Sequence, residues 1–147
     1  MTTTAPAADS RTLALAHYAA RAVLESVLSR HGVTFPQNAA LRLAALVDGP
    51  VAREEIADGV AGSLKIGAAE AHRVVDELLA GPFLAADGPS AVRLTAAGRE
   101  VYDAYSAETR EISARIWAGV SPEDRAAAGR VLAHVTERAE AELAARP

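Results

Sequence analysis

The fold is decided by residues 51–99, VAREEIADGVAGSLKIGAAEAHRVVDELLAGPFLAADGPSAVRLTAAGR. Apolar side chains recur there at three- and four-residue steps, over Arg53–Val60 and again over Gly67–Leu79, as in helices that bury one face. Gly62 and Ser63 are expected to break the first of these helices. The pattern therefore predicts two short helices in series, joined by a glycine-containing turn, which is a helix-turn-helix.

The periodicity changes after Gly81 and Pro82, which are expected to end the second helix. Two short apolar runs, Phe83–Ala86 and Ala91–Leu94, flank the turn residues Asp87–Ser90. Short apolar runs on either side of such a turn predict a β-hairpin. A helix-turn-helix followed directly by a hairpin is a winged helix.

Longer helices are predicted on both sides of this module. One apolar stripe runs through Ser10–His31. Its members are Leu13, Ala16, Ala20, Val23, Leu24, Val27 and Leu28. Thr34 and Gln37 form a capping box for the next helix, Thr95 caps a long helix, and Ser121 caps the last one. The expected fold is mainly α, and its terminal helices pack on each other or on a second copy of the chain.

Composition excludes several classes of protein. The chain has 147 residues, no Cys, and 15 Lys+Arg against 19 Asp+Glu, a net charge of −4. This length favours one domain, here 10–147 after a flexible arm at 1–9. An apolar run of about 18 residues and a basic signal segment are both missing, so we expect a cytoplasmic protein that does not enter membranes.

Catalysis is not expected. The four His residues lie on four different segments, without the spacing of a metal site. Gly59 and Gly62 are not followed by the Lys-Ser/Thr of a phosphate-binding loop, and no nucleophile-elbow pattern occurs. The absence of Cys removes thiolate chemistry. The sequence therefore predicts a protein with no enzymatic activity, no cofactor and no metal.

Four segments, taken in order, carry a family resemblance. They are GVTFPQ at 32–37, EIA at 55–57, HRVVDEL at 72–78 and LTAAGR at 94–99. In sequence and spacing they resemble the second helix, the two motif helices and the wing-closing segment of the multiple-antibiotic-resistance regulator (MarR) family of bacterial transcription factors. The resemblance divides the chain into a winged-helix DNA-binding part at about 34–99 and dimerisation helices at about 10–31 and 96–145.

The resemblance implies a homodimer that binds double-stranded DNA. Each winged helix would occupy a major groove, on half-sites about one helical turn apart. Family members commonly repress genes and release DNA when a small, often aromatic acid binds. This sequence departs from the family in three places: a link at 61–65 that is longer by about four residues, a wing with only nine residues between Leu84 and Leu94, and Asp87-Gly88-Pro89 in place of an acidic-x-Arg wing tip.

The DNA-binding candidates lie in and around the recognition helix and the wing. They are Arg73, His72, Lys65, Ala68, Ala69, Arg93 and Arg53. Arg73 is the main candidate for contact with a base or a phosphate, and the alternative is a surface pair with Glu77 at i+4. Ala68 and Ala69 occupy positions where the family often has small hydroxyl residues.

The charge of the module is unfavourable for DNA. Residues 50–99 contain five basic and seven acidic side chains, a net charge of −2. Asp76 and Glu77 are expected to lie off the groove, whereas Glu70 lies near the helix N-terminus, where it suits the helix dipole or accepts from a cytosine. The alternative function is a winged helix that has lost DNA binding and serves protein interaction or ligand binding.

An effector site is the second candidate site. His17, Tyr18 and Arg21 fall within just over one turn of the first helix, and Arg42 lies on the second. Such a group would hold the carboxylate and ring of a small aromatic or acidic effector, since Arg suits bidentate contact. The alternative is packing at an interface together with solvated charge. Trp117 and Tyr105 are expected in the core or in dimer contacts.

Overall fold

The computed structural model describes residues 4–147 and contains six helices and three strands in this part of the chain. Their order is α1 (Ser10–Arg30), α2 (Phe35–Ala45), β1 (Val51–Ala52), α3 (Arg53–Leu64), α4 (Ala68–Ala80), β2 (Leu84–Ala86), β3 (Ala91–Leu94), α5 (Ala96–Ile116) and α6 (Pro122–Ala144). The predicted fold class is confirmed: α3 and α4 form a helix-turn-helix, and β2 and β3 form its wing.

The chain divides into two compact units, Met1–Arg110 and Glu111–Pro147. The core of the first unit is built from apolar side chains of α1 to α5 and the sheet. α6, in the second unit, buries none of its residues. Every helix within residues 4–147 is too short or too polar to cross a membrane.

The predicted N-terminal arm is described only in part. Residues 4–9 form neither helix nor strand, and the Asp9 carboxylate accepts a hydrogen bond from the Thr12 N–H at 2.7 Å. Residues 1–3 lie outside the described part of the chain. The predicted division into an arm and one domain stays a prediction.

Helix starts are where the sequence predicted them. Thr34 Oγ1 accepts from the Gln37 N–H at 3.2 Å, and Gln37 Oε1 accepts from the Thr34 N–H at 3.1 Å, which completes the capping box. The Ser121 hydroxyl accepts from the Asp124 N–H at 3.1 Å. Each cap satisfies backbone donors that the first helical turn leaves without partners.

The sheet has one strand more than the sequence predicted. The hairpin has the expected ends, with Leu84 opposite Leu94, and the strand order is β1-β3-β2, all antiparallel. β1 pairs Val51 with Val92 and was not predicted. Two residues between Pro50 and α3 are too few to show a strand period.

The predicted break at Gly62 and Ser63 is wrong. α3 continues to Leu64 and ends at Lys65, which has a left-handed backbone with φ 56°. Gly62 and Ser63 are exposed, while Val60 is buried and Leu64 is half-buried on the same side of the helix. Packing of that side outweighs the cost of about 1 kcal/mol for a helical glycine. The turn between the motif helices is therefore residues 65–67, not an elongated link.

The apolar stripe of α1 is buried only at its C-terminal end. Val27 and Leu28 are buried, whereas Leu13 and Val23 are exposed. Most of the stripe is therefore open to solvent in this chain. Tyr105 is buried as expected, while Trp117, in the second unit, stays partly exposed.

Gly98 sits where the start of α5 meets the base of the wing. Its N–H donates to Thr95 Oγ1 at 2.9 Å, and Thr95 Oγ1 donates to the Pro82 carbonyl at 2.6 Å. A Cβ at position 98 would lie 2.2 Å from the Phe83 carbonyl oxygen. Backbone atoms cannot move aside as a flexible side chain would, so only glycine fits here.

We expect Gly98→Ala to lower the free energy of unfolding by about 2 kcal/mol, because the strand or the helix has to shift. Gly129→Ala is the matched control, since a Cβ there meets open space; it should raise stability by up to about 1 kcal/mol. Urea unfolding followed by circular dichroism measures both. Equal stability of Gly98→Ala and the wild type would contradict the close approach.

Candidate nucleic-acid interface

α4 buries one face and exposes the other. Its buried residues are Ala71, Val74, Val75 and Leu78. Their helical spacing places Ala69, Arg73 and Asp76 on the opposite face, and all three are exposed. Ala68 is also exposed, so small side chains occupy the N-terminal end of α4. A surface with small residues there lets the helix approach a ligand closely. Asp76 shares this outward face instead of lying off it.

Arg73 is available for contact with a ligand. Its predicted alternative partner, Glu77, accepts a hydrogen bond from Gln37 Nε2 at 3.1 Å. Within the described residues, Arg73 itself has no ion pair. The structure therefore does not contain the surface pair between Arg73 and Glu77 that the sequence offered as the alternative.

An ion pair and a histidine–carboxylate contact join α3 to α4. The Arg53 guanidinium pairs with the Asp76 carboxylate, and His72 Nε2 lies 3.3 Å from Glu54 Oε2. Arg53 and His72, both DNA-binding candidates, therefore already contact carboxylates of the module. No sequence pattern indicates these contacts, because the partners lie about 20 residues apart in the chain.

The other two basic candidates lie in the turn before α4 and in the wing. Lys65 is exposed in the turn before α4. Arg93 is exposed on β3, opposite Ala85 of β2. Lys65 thus places a cation before the N-terminus of α4, and Arg93 places one on the wing.

The wing tip carries no cation. The Asp87 N–H donates to the Ala91 carbonyl at 2.8 Å, and Gly88 takes φ 81° to make the turn. Residues 87–90 are Asp-Gly-Pro-Ser. Any basic contact from this hairpin therefore comes from Arg93, at its side.

Acidic side chains remain exposed on the same module. Glu70 is exposed in the first turn of α4, where the helix dipole favours a negative charge. Glu55 and Asp58 are exposed on α3. The positive charges near α4 are thus few and are placed among carboxylates.

The effector candidates are only partly grouped. The rings of His17 and Tyr18 lie 6.0 Å apart, and both residues are exposed. Arg21 pairs with Glu25 at 3.1 Å, and its guanidinium carbon lies 4.2 Å from the centre of the Phe35 ring. Arg42 is exposed near the end of α2. The guanidinium of Arg21 already has an anionic and an aromatic neighbour, the two contacts expected from a small aromatic acid.

A second cluster, which the sequence analysis did not single out, joins the end of α1 to α5. Glu108 pairs with Arg30, and its Oε2 lies 3.7 Å from His31 Nε2. The Tyr105 ring packs against Tyr102 and His31, and its hydroxyl is buried with no hydrogen-bond partner in the described residues. No local signal indicates it, since Arg30 and His31 lie more than 70 residues before their partners in α5.

This cluster shifts two pKa values. The hydrogen bond from Arg30 holds the pKa of Glu108 below its ordinary value, with a smaller contribution from His31. Burial raises the pKa of the Tyr105 hydroxyl, and the neighbouring Tyr102 adds to that rise. Glu108 is therefore favoured as a carboxylate and Tyr105 as a neutral phenol. Among residues 4–147, no three His, Asp or Glu side chains are grouped as metal ligands.

Of the known proteins compared with this chain, those with solved structures include matches to it in fold. No protein-family model matches the sequence, and no curated protein matches it significantly. A MarR-family protein of Mycobacterium tuberculosis, solved in complex with DNA, is 22% identical; the match covers 88% of this chain and 98% of that chain, with a TM-score of 0.65.

Two further matches are to structures with bound small molecules. CouR from Rhodococcus jostii RHA1, bound to p-coumaroyl-CoA, is 18% identical over 84% of this chain and 88% of that chain, with a TM-score of 0.69. NadR in complex with 4-hydroxyphenylacetate is 20% identical over 92% of this chain and 97% of that chain, with a TM-score of 0.66. At such identities the likeness is one of fold: this chain has the winged-helix fold of MarR-family transcriptional regulators.

We expect the pair between Arg30 and Glu108 to make stability depend on pH. Because the pKa of Glu108 is lowered in the folded state, the pair stabilises the fold above about pH 4.3, the ordinary glutamate value, and is lost as the pH falls through the folded-state pKa. Glu108→Gln should therefore be less stable than the wild type at pH 7, and the difference should shrink toward pH 3.

Urea unfolding at a series of pH values measures this difference. Glu100→Gln, an exposed glutamate of the same helix, is the matched control for the loss of one negative charge. A difference of the same size and pH dependence in Glu100→Gln would attribute the effect to net charge and contradict a specific pair at Glu108.

Proposed function

We propose that this protein is a sequence-specific DNA-binding transcriptional regulator that acts as a homodimer. The observation that carries the proposal is the outward face of α4, where Arg73 is exposed without an ion-pair partner beside the small side chains Ala68 and Ala69. In helix-turn-helix proteins the N-terminal part of the second helix contacts base edges in the major groove. A protein of similar fold has been solved in complex with DNA, which supports DNA binding by this chain.

Each basic candidate has a role in this proposal. Arg73 contacts a guanine edge or a phosphate, Lys65 contacts the backbone before α4, and Arg93 contacts it from the side of the wing. Arg53 and His72 contact phosphates only in competition with their carboxylate partners. Because the wing tip lacks a cation, most of the affinity comes from α4 and its flanks.

The homodimer follows from exposed apolar surface on the terminal helices. In the first unit, α1 exposes Leu13, Leu15 and Tyr18; in the second, α6 exposes Val131 and Leu132. Large exposed apolar side chains grouped along a helix mark an interaction surface, because monomeric proteins rarely leave such patches in water. A second copy of the chain supplies the same surfaces, as closed two-fold symmetry requires.

The regulator acts in the cytoplasm, has no enzymatic activity, and represses its target genes until a small effector binds. Two of the structures with this fold hold aromatic molecules, 4-hydroxyphenylacetate and p-coumaroyl-CoA. In this chain His17, Tyr18, Arg21 and Arg42 are the candidates for an aromatic or acidic effector. An effector carboxylate at Arg21 would compete with Glu25, which accepts hydrogen bonds from its Nε and Nη2.

A second candidate function is a winged helix that binds a protein or a ligand and not DNA. The exposed carboxylates of α3 and α4 favour it, since Glu55, Asp58 and Glu70 would repel phosphates. The two functions differ in a simple observable, namely whether DNA binding exists and weakens with salt.

DNA binding is tested by fluorescence anisotropy with a duplex from upstream of the protein's own coding region and a scrambled duplex of equal composition. We expect tighter binding to the first duplex and, if each protomer neutralises about three phosphates, a log–log salt slope of about −5. Arg73→Ala should weaken binding to the matched duplex by about tenfold or more.

Arg146→Ala is the control, since Arg146 is an exposed arginine beyond the end of α6; we expect its affinity for DNA to stay within about twofold of the wild type. Absence of salt-dependent, sequence-selective binding at low micromolar protein would reject the proposal and favour the second candidate function.

Dimerisation is tested by sedimentation equilibrium. The wild type should have twice the chain mass of 15.2 kDa. Leu132→Glu should raise the dimer dissociation constant by at least about tenfold, because the carboxylate would be desolvated in an apolar interface. Arg130→Glu places the same group on the opposite side of α6 and should leave the dimer intact. A dimer unaffected by Leu132→Glu would exclude this face of α6 from the interface.

A further inference from the structure

Among the basic side chains of the helix-turn-helix, Arg53 has the partner that bears most directly on DNA binding, the Asp76 carboxylate. It is the first residue of α3, and its N–H donates to the Ser90 carbonyl of the wing turn at 2.9 Å. Its backbone is therefore fixed between the wing and the helix-turn-helix. Under the proposed function, this guanidinium is a candidate for contact with a phosphate of the DNA backbone.

The Asp76 carboxylate holds that guanidinium. The contact joins Arg53 Nη2 to Asp76 Oδ1. The Arg53 side chain is 33% exposed and the Asp76 side chain 59% exposed, so the carboxylate is the more exposed partner of the pair. Asp76 also lies on the outward face of α4 with Arg73, three residues earlier in the helix. Asp76 therefore contacts Arg53 from the face of α4 that is proposed to meet DNA.

We propose that Asp76 is an internal competitor for DNA: its carboxylate occupies Arg53 in the free protein, and a DNA phosphate must displace it. The inference rests on the proposed function and adds a determinant of affinity to it. Exposed ion pairs contribute little to stability, so the exchange of one anion for another on Arg53 is energetically accessible. The pair between Arg53 and Asp76 therefore lowers the affinity for every DNA sequence but still allows DNA to bind.

Two other effects of Asp76 have to be separated from competition. An exposed carboxylate repels phosphates directly, whether or not Arg53 is present. A carboxylate can also orient an arginine toward a phosphate, in which case its removal weakens binding. Competition alone predicts that the benefit of removing the carboxylate depends on Arg53.

The experiment measures the affinity of wild type, Asp76→Asn, Arg53→Gln and the double variant for the same duplex over a range of salt concentrations. Asp76→Asn should bind at least about fivefold more tightly at 0.1 M salt, with a salt slope steeper by about 0.9 for each protomer that gains a phosphate contact. In the Arg53→Gln background the same substitution should gain less than about twofold, with an unchanged slope.

Glu77→Gln is the matched control, because it removes a neighbouring carboxylate whose partner is the Gln37 amide and not an arginine. It should leave the salt slope unchanged. Unaltered far-ultraviolet circular dichroism and thermal midpoint establish that each variant is folded.

Three results would overturn the inference. Weaker binding by Asp76→Asn would make Asp76 a positioning residue for Arg53. An equal gain in the Arg53→Gln background would leave direct repulsion as the whole effect. If neither the wild type nor Asp76→Asn binds DNA, the proposed function fails and the inference fails with it. DNA binding by Asp76→Asn but not by the wild type would support both the proposed function and the inference.

Discussion

The packing of α4 on the rest of the helix-turn-helix is the constraint on which the other features depend. Val74, Val75 and Leu78 are buried against the core, and this fixes the rotation of α4 about its own axis. Once that rotation is set, Arg73 and Asp76 must face outward together. The buried side chains of α4 thus determine which of its other side chains face a binding partner.

The sequence predicted those parts of the fold that are determined locally. The capping box at Thr34 and Gln37, the cap at Ser121 and the hairpin ends are each encoded within a few residues, and the structure has them. β1 was missed because a two-residue strand has no period of its own. The break expected at Gly62 failed because the packing of Leu64, a non-local effect, decides whether α3 continues.

The sequence predicted candidate residues for the site but not the electrostatic contacts among them. Arg73 and Arg53 are recognisable from the sequence as cations of the motif, and a count of charges predicts an unfavourable net charge. The count could not show that Asp76 of α4 is paired with Arg53 of α3. Which cations are available depends on contacts between segments far apart in the chain, and those exist only after folding.

The hydrogen bond between Gln37 and Glu77 constrains the choice of residue at position 37. Capping boxes accept either glutamate or glutamine at this place, since both supply an acceptor for the backbone N–H of the cap. Here the Gln37 side chain accepts from Thr34 with its oxygen and donates to Glu77 with its nitrogen. A carboxylate has no donor and would face Glu77 as a like charge. The start of α2 and the later part of α4 are therefore joined through one amide, so position 37 serves two helices and only one of the two usual capping residues satisfies both.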